Sequence, residues 1–224
     1  MSKIAVVGGT GHLGSALAKR LARAGHDVTI GSRSAASAES VAHEIGNGAG
    51  FATNAEAAQG CDFVLVTVPY AAQASTLAEI RDVVGTAIII DATVPLVPPK
   101  VMRVQLPAAG CAALEARAHL GPDVRLVSAF HNVAAHRLTT DEDVECDVLV
   151  FSDDTDARAQ VIALIESIGM QALAAGSLAN SAAAEALTSI LIFLNKTYKA
   201  DGAGIRFTRL GTAGAAGGAD QGLP

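Results

Sequence analysis

The stretch KIAVVGGTGHLG near the amino terminus has residues of the type and spacing that hold a phosphate group. An apolar run leads into Gly9, Gly11 and Gly14, which have the G-x-G-x-x-G spacing of a dinucleotide site. Where a helix begins, its first N–H groups lack partners and the helix dipole adds partial positive charge. Glycine there leaves room for the turn and for an anion. The pattern predicts that a dinucleotide pyrophosphate binds at the start of the first helix.

The end of the next apolar run indicates which dinucleotide binds. NAD-specific sites have Asp or Glu at this point, because a carboxylate accepts hydrogen bonds from the ribose hydroxyls. This chain has GSRS at 31–34 instead, which places Ser32 and Arg33 there. A guanidinium attracts a 2′-phosphate and can donate two parallel hydrogen bonds to it, whereas a carboxylate repels it. We therefore predict NADP(H) as the cofactor.

Two later positions could lie beside the nicotinamide. Pro69 follows a strongly apolar run, and it is either a wall of the nicotinamide pocket or an ordinary strand terminator. His131 follows another predicted strand, where it could donate a hydrogen bond to a ring carbonyl and stabilise charge as hydride arrives. The alternative is a histidine that bonds the backbone of its own turn. Hydride transfer between two bound rings needs no acid, base or nucleophile from the protein, so we predict no catalytic residue in the strict sense.

The elements that must position these residues alternate between strand and helix. The predicted strands are apolar throughout, which is typical of strands that helices cover on both faces. This pattern predicts an α/β, Rossmann-like, doubly wound parallel sheet with a small C-terminal helical portion. We expect the last, mostly apolar helix, SAAAEALTSILIFLNKTY, to pack between subunits or across the mouth of the sheet. It favours a homodimer.

The pattern becomes less regular beyond Pro95, and we divide the chain into three parts. Residues 1–151 are predicted to form an NADP-binding Rossmann domain. Residues 152–209 are predicted to form a small α/β portion that closes a second-cofactor site. The Gly/Ala-rich residues 210–224 lack an anchoring pattern, and we expect them to be flexible.

Composition excludes several classes of function. The chain of 224 residues has a net charge of −6 and no long Lys/Arg cluster, which argues against a nucleic-acid partner. Its three cysteines are far apart and no His/Asp/Glu set has metal spacing, so we predict no metal site and a reducing, cytoplasmic location. We find no signal peptide. The most apolar late stretch, 187–195, is about half the length that crosses a bilayer, so we expect no membrane association.

Six sequence blocks in order carry a specific resemblance: IAVVGGTGHLG, GSRS, VTVPY, VSAFHNVAAH, LAAGSLANS and DGAGIRF. Together they resemble NADPH:coenzyme F420 oxidoreductases, over residues 3–208. The last block discriminates best, since many Rossmann proteins share the opening. The resemblance implies that hydride passes directly between nicotinamide C4 and the C5 atom of a deazaflavin, with NADP(H) and F420 as cofactors.

The resemblance also implies roles for individual residues. Those predicted to cradle the pyrophosphate, together with the fingerprint glycines, are Thr10, Gly11, His12 and Leu13. Those predicted to line the NADP groove are Val68, Gln73, Val94 and Ala135. Those predicted to lie near the deazaflavin are His131, Asn132, Val133 and Ala203. The chain departs from the family at Ala182, where Arg is common, at Tyr70, where Trp occurs, and at Ala203, where Leu can occur.

Two other functions stay open at this stage. Relatives of this shape also occur as flavin-linked ferric reductases, so FMN or FAD is an alternative hydride partner. A regulatory module that senses NADP without chemistry is a second alternative, although it leaves the HNVAAH and GAGIRF blocks without a purpose. A carbonyl reductase of the short-chain type is disfavoured, because neither Tyr70 nor Tyr198 is followed by Lys four residues later.

Overall fold

The structure is a computed structural model that describes residues 1–140 and 143–211. Residues 212–224, most of the predicted flexible tail, lie outside the described residues.

Six parallel strands form the main sheet, in the order β3-β2-β1-β4-β5-β6. Their bounds are β1 Lys3–Val7, β2 Asp27–Ser32, β3 Gly50–Thr53, β4 Phe63–Val66, β5 Ile88–Asp91 and β6 Leu126–Ser128. The strand order reverses between β1 and β4, which is where such sheets bind their ligands. The predicted Rossmann-like fold is confirmed.

Alternate residues of each strand face opposite apolar layers, because side chains of a strand alternate with period two. In β1, Ile4 and Val6 pack into one buried cluster, whereas Ala5 and Val7 pack into the other. Helices cover both layers. Their bounds are α1 His12–Arg23, α2 Ala35–Ile45, α3 Asn54–Ala58, α4 Tyr70–Ile80, α5 Ala112–Leu120, α6 Ala135–Leu138, α7 Thr155–Ser167 and α8 Ser181–Tyr198.

A second, two-stranded parallel sheet pairs β7, Asp147–Val150, with β8, Gln171–Ala174. It is joined to the main sheet through Ser128 and Phe151, whose backbones exchange two N–H···O bonds of 2.9 Å. β7 belongs to this small sheet although it precedes residue 152. The predicted division at 151/152 therefore cuts the chain directly after the first strand of the small sheet.

Helix α8 differs from what the sequence analysis expected. Together with the short 3-10 turn Leu178–Asn180 that precedes it, α8 forms a helical segment of 21 residues, Leu178–Tyr198, whose most apolar window has a mean hydropathy of 1.3. By length and composition alone this segment could cross a membrane, so the expectation that the apolar stretch is too short for this was wrong. Glu185 in this helix is only 1% exposed and accepts hydrogen bonds from the start of α5. We therefore interpret α8 as a helix of the packed fold.

Candidate functional site

The turn between β1 and α1 presents unpaired backbone N–H groups. The Gly9 N–H donates to the carbonyl oxygens of Val6 at 3.1 Å and Gly31 at 3.0 Å, which fixes the turn against the end of β2. The first bond of α1 runs from the Ser15 N–H to the Gly11 carbonyl oxygen at 2.9 Å. No described residue accepts from the N–H groups at 12–14, and the first turn of α1 has no acidic side chain. This helix end keeps its capacity for an anion.

The fingerprint glycines serve two different purposes. A Cβ on Gly9 would lie 2.6 Å from the Val6 carbonyl oxygen, and one on Gly14 would lie 2.5 Å from Thr67 Oγ1, so packing requires both glycines. A Cβ on Gly11 would lie 3.5 Å from its nearest described neighbour, which is ordinary contact, and φ of Gly11 is −78°. The fold itself does not require glycine at 11. Without a Cβ, Gly11 leaves room for a ligand to approach this backbone closely.

Asn54, which the sequence analysis missed, supports the turn. It is buried at the start of α3; its Oδ1 accepts from the Gly8 N–H at 3.4 Å, and its Nδ2 donates to Glu79 at 3.1 Å. Gly8 has a φ of +72° and a Cβ there would lie 2.5 Å from Val68 Cγ1. The predicted groove residue Val68 therefore lies directly against the turn between β1 and α1. We call this turn, residues 8–11, the phosphate turn, because it is the predicted pyrophosphate site.

The end of β2 carries the predicted 2′-phosphate site. Ser32 is buried, whereas Arg33 is exposed and makes no hydrogen bond or ion pair with any part of the chain that the structure describes. The bond from Gly9 to Gly31 places this strand end beside the β1–α1 turn. A free cation therefore lies where the adenosine ribose of a dinucleotide binds in this fold.

Pro69 and Val94 follow β4 and β5, where Pro69 is exposed and Val94 is half-buried. Gln73, which was predicted to line the same groove, is buried instead. Its Nε2 donates to Asp91 Oδ2 at 2.6 Å and to the Ala112 carbonyl oxygen at 3.2 Å, so both amide protons are already used within the fold.

Asp91 at the end of β5 is a buried carboxylate that the sequence analysis did not single out. It also accepts from the Thr93 N–H and hydroxyl. Burial raises the pKa of Asp91 to about 6, although these hydrogen bonds act in the opposite direction. The side chains of Gln73 and Thr93 thus fix the loop that follows β5.

His131 lies just past β6 and is 6% exposed. Its Nε2 lies 2.8 Å from Ser128 Oγ, whereas its Nδ1 is buried without a hydrogen-bond partner. Phe130, immediately before it, has a φ of +69°, a left-handed conformation that is costly for a bulky residue and is found mostly at functional sites. Burial lowers the pKa of His131 to about 4, so the ring is neutral at neutral pH.

A buried chain of polar side chains continues from Ser128 into α8. Ser128 Oγ lies 3.1 Å from Ser181 Oγ, and Ser181 donates to Glu185 Oε1. Glu185 accepts from the N–H groups of Ala112 at 2.7 Å and Ala113 at 3.1 Å, the first residues of α5. The sequence analysis missed this chain. The signal was present, since Glu185 is the one charged residue before Lys196 in a mostly apolar helix.

The remaining predicted residues converge on the same region. Asn132 Nδ2 donates to the Ala184 carbonyl oxygen at 2.8 Å, and Val133 packs at the edge of the main core. The Ala203 N–H donates to Asn195 Oδ1 at 2.8 Å, and a Cβ on the preceding Gly202 would lie 2.8 Å from the Ala134 Cβ. The start of the closing GAGIRF block therefore lies between α8 and the short helix α6, which begins with the half-buried Ala135. The end of the block hydrogen-bonds Asp147 at the start of β7.

Residues 3–95 match the family model described as "NADP oxidoreductase coenzyme F420-dependent". The chain is 41% identical over 221 residues to an F420-dependent NADP reductase from Methanothermobacter thermautotrophicus, covering 93% of this chain and 95% of the relative. The chain belongs to the F420-dependent NADP reductase family. A second F420-dependent NADP reductase, from Methanocaldococcus jannaschii, is 37% identical over 93% of this chain and 99% of its own length.

Solved structures agree with the fold of this F420-dependent NADP reductase family member. A crystal structure of an Arthrobacter sp. FB24 protein matches with a TM-score of 0.82 and 23% identity, over 93% of this chain and 100% of its own. At that identity the match shows the fold alone. Within 1–140 and 143–211, no group of three or more His, Cys, Asp or Glu side chains could hold a metal ion.

Proposed function

We propose that this chain catalyses hydride transfer between NADP(H) and coenzyme F420. One observation carries the proposal: the open phosphate turn at Gly11, and Arg33 without a partner among the described residues, occur in a chain that matches F420-dependent NADP reductases over 93% of its length. The names of these relatives supply the reaction, and the geometry of this chain supports the NADP half of it.

The N–H groups of residues 12–14 would hold the pyrophosphate, together with the dipole of α1. Thr10 is exposed beside them and Leu13 is half-buried. Ser32 and Arg33 would hold the 2′-phosphate. Residues 1–151 would thereby bind NADP(H).

Side chains after β4, after β5 and at the start of α6 would form the walls of the cofactor groove: Val68, Pro69, Val94 and Ala135. His131, Asn132, Val133 and Ala203 would face the second cofactor, which residues 152–209 would help to enclose. When bound, the two rings supply the hydride donor and acceptor. The protein supplies their alignment, the exclusion of water and no proton transfer of its own.

The test measures NADPH oxidation at the NADPH absorbance band, with F420, FMN, FAD or a ferric chelate as the acceptor. We expect turnover with F420 and at least about tenfold lower kcat/KM with each of the other acceptors. Turnover with FMN or FAD and none with F420 would make the chain a flavin reductase. Tight NADPH binding without turnover on any acceptor would make it a sensor of NADP.

We also infer that two copies of the chain pair through the outer face of α8. Ile190 is 44% exposed and Phe193 is 50% exposed on this face. Exposed apolar residues of the 97–106 loop adjoin it, because Ser189 Oγ bonds the Arg103 carbonyl oxygen at 3.4 Å. Contiguous exposed apolar surface of this kind is typical of homodimer interfaces.

Sedimentation velocity tests the pairing. We expect the wild-type protein to sediment as a dimer and the Phe193→Glu variant as a monomer, because a buried unpaired carboxylate is costly. The exposed Lys199→Glu change at the end of the same helix is the control. A monomeric wild-type protein at micromolar concentration would rule the dimer out.

The three free cysteines fit the proposed reducing, cytoplasmic location.

A further inference from the structure

In the polar chain from α5 to the turn after β6, the donors and acceptors of the hydrogen bonds can be assigned. The assignment follows from counting the protons that each side chain can donate. Glu185 accepts from two backbone N–H groups and from Ser181 Oγ, so the single hydroxyl proton of Ser181 points to Glu185. Because its proton is used, Ser181 Oγ can act only as the acceptor in its hydrogen bond with Ser128, and the Ser128 hydroxyl is the donor. The proton of Ser128 is thereby used as well.

Ser128 Oγ must consequently accept from the ring of His131. The nitrogen that faces it is Nε2, at 2.8 Å. A neutral imidazole carries one N–H, so a proton on Nε2 leaves Nδ1 with a lone pair and no proton. Nδ1 is the one side-chain nitrogen or oxygen, among buried atoms of the described residues, that has no partner.

We propose that Glu185 is a positioning residue which, through Ser181 and Ser128, holds His131 in the Nε2–H tautomer, so that Nδ1 accepts a hydrogen bond from an N–H group of a bound cofactor. This proposal rests on the function proposed above and reverses the sequence-based expectation that His131 donates to a ring carbonyl. Both cofactor rings offer the required chemistry: the carboxamide of nicotinamide and the imide of a deazaflavin each carry an N–H donor.

Three features favour a ligand over a passive role for this nitrogen. Leaving a buried acceptor unpaired costs free energy, which natural structures rarely accept without a function. The turn that holds the ring contains Phe130 in a left-handed conformation at φ +69°. Finally, His131 lies after the carboxyl end of β6, the edge of the sheet at which such folds bind ligands.

Titration behaviour agrees with this geometry at mildly alkaline pH. Burial lowers the pKa of His131 to about 4, which keeps the ring neutral. Burial also raises the pKa of Glu185 to about 7, while its three hydrogen-bond donors act in the opposite direction. At pH 8 the carboxyl is therefore ionised, and the experiment below is carried out there.

The experiment reads the tautomer directly by long-range ¹H–¹⁵N NMR of the histidine rings. The chain has six histidines, and loss of one ring signal in His131→Gln assigns the resonance. We expect the wild-type protein without cofactor to show a protonated Nε2 and an unprotonated Nδ1. A protonated Nδ1 in that spectrum would overturn the proposal, whatever the protein's activity.

Glu185→Gln should exchange donor and acceptor in the hydrogen bonds that link residue 185 to His131. With its amide oxygen in the place of Oε2, the variant would keep the bond from the Ala112 N–H and lose the bond from the Ala113 N–H. Its NH₂, in the place of Oε1, would donate to Ser181, which would then donate to Ser128 and Ser128 to Nε2. We expect the proton on Nδ1 in this variant.

Ser181→Ala, a smaller change that interrupts the chain, should give a mixture of the two tautomers. Glu115→Gln in α5 and Ser189→Ala in α8 are matched controls that should leave the Nε2–H tautomer unchanged. An unchanged tautomer in both test variants would contradict the role of Glu185.

Titration with NADP⁺ alone, F420 alone and both together identifies the donor. We expect the Nδ1 resonance of the wild-type protein to shift with one of them, and the Kd of that cofactor to rise about tenfold in Glu185→Gln, as expected for one lost hydrogen bond. If neither cofactor shifts Nδ1 while NADPH still reduces F420, this inference fails and the proposed function stands. If F420 is not reduced but the wild-type tautomer is Nε2–H, the proposed function fails and the positioning by Glu185 stands.

Discussion

The phosphate turn and the polar chain behind His131 differ in how their polar groups are paired. At the turn, the ligand-facing groups are exposed and unpaired: backbone N–H groups at the start of α1 and the guanidinium of Arg33. Behind His131, nearly every polar atom is buried and already bonded, and one nitrogen is left over. The first region would therefore bind a ligand through charge and backbone N–H groups, whereas the second would orient one through a preformed network.

Reversing the charge at the first region should have the largest effect. We expect Arg33→Asp to change the ratio of kcat/KM for NADPH to that for NADH by about 1,000-fold, because a carboxylate repels the 2′-phosphate and accepts from ribose hydroxyls. Steady-state kinetics with both nucleotides measures it. Arg33→Gln, which removes the charge without reversing it, should give an intermediate ratio. An unchanged ratio in both variants would refute the assignment of the 2′-phosphate site.

In the second region, the buried carboxyl of Glu185 should make stability depend on pH. Its pKa is raised to about 7 by burial, whereas the unfolded chain releases this proton near pH 4.5. The folded state thus holds the proton more tightly, so the stabilisation is present below pH 4.5 and is lost as the pH rises through 7. Relative to Glu185→Gln, the wild-type protein should lose on the order of 3 kcal/mol of unfolding free energy from pH 4.5 to 8.

Denaturant unfolding of both proteins at several pH values measures this difference. His131 acts in the opposite sense, because its pKa is lowered to about 4 and its contribution is lost as the pH falls. The titration of His131 is common to both proteins and cancels in the comparison. The charge of Asp91 also raises the pKa of Glu185, so its effect is part of the measured difference. A pH-independent difference would show that Glu185 has the same affinity for its proton in both states.

Two glycine substitutions separate ligand binding from folding within the phosphate turn. Gly14→Ala should cost about 2 kcal/mol of stability, because its Cβ would lie 2.8 Å from the Gly9 Cα. Gly11→Ala should cost only about 1 kcal/mol, which is the usual N-cap preference for Gly over Ala. It should nevertheless raise the NADPH Kd about tenfold. Thermal unfolding and calorimetry measure the two effects; equal NADPH affinity in Gly11→Ala and wild type would mean that no phosphate approaches this residue.

The smallest expected effect concerns the tail of F420. Ala182 is half-buried in the first turn of α8, at a position where the family commonly has Arg. We expect Ala182→Arg to tighten F420 binding about fivefold and to leave FMN binding unchanged, because F420 carries the longer anionic tail. The exposed neighbour Ala183→Arg is the control, as it faces a different direction on the helix. Equal gains at both positions would indicate general attraction of anions.

Local signals explain why the first region could be predicted from the sequence. The glycine spacing, the apolar strand and the Arg33 position all lie within about one βαβ unit, so each residue implies the location of the next. The second region joins residues far apart in the chain: Ser128 meets Ser181, and Glu185 meets Ala112. No spacing rule connects them, because packing of α8 on α5 brings them together. Helix α5 itself was missed, since its buried face is mostly alanine.

Ser128 holds both sheets and the histidine at once. Its backbone exchanges two hydrogen bonds with Phe151, at the end of the strand that opens the smaller sheet, and its hydroxyl accepts from the imidazole. A rotation of the smaller sheet, transmitted through Ser128, would tilt the imidazole with it. The same movement would then enclose the deazaflavin ring and orient Nδ1 of His131.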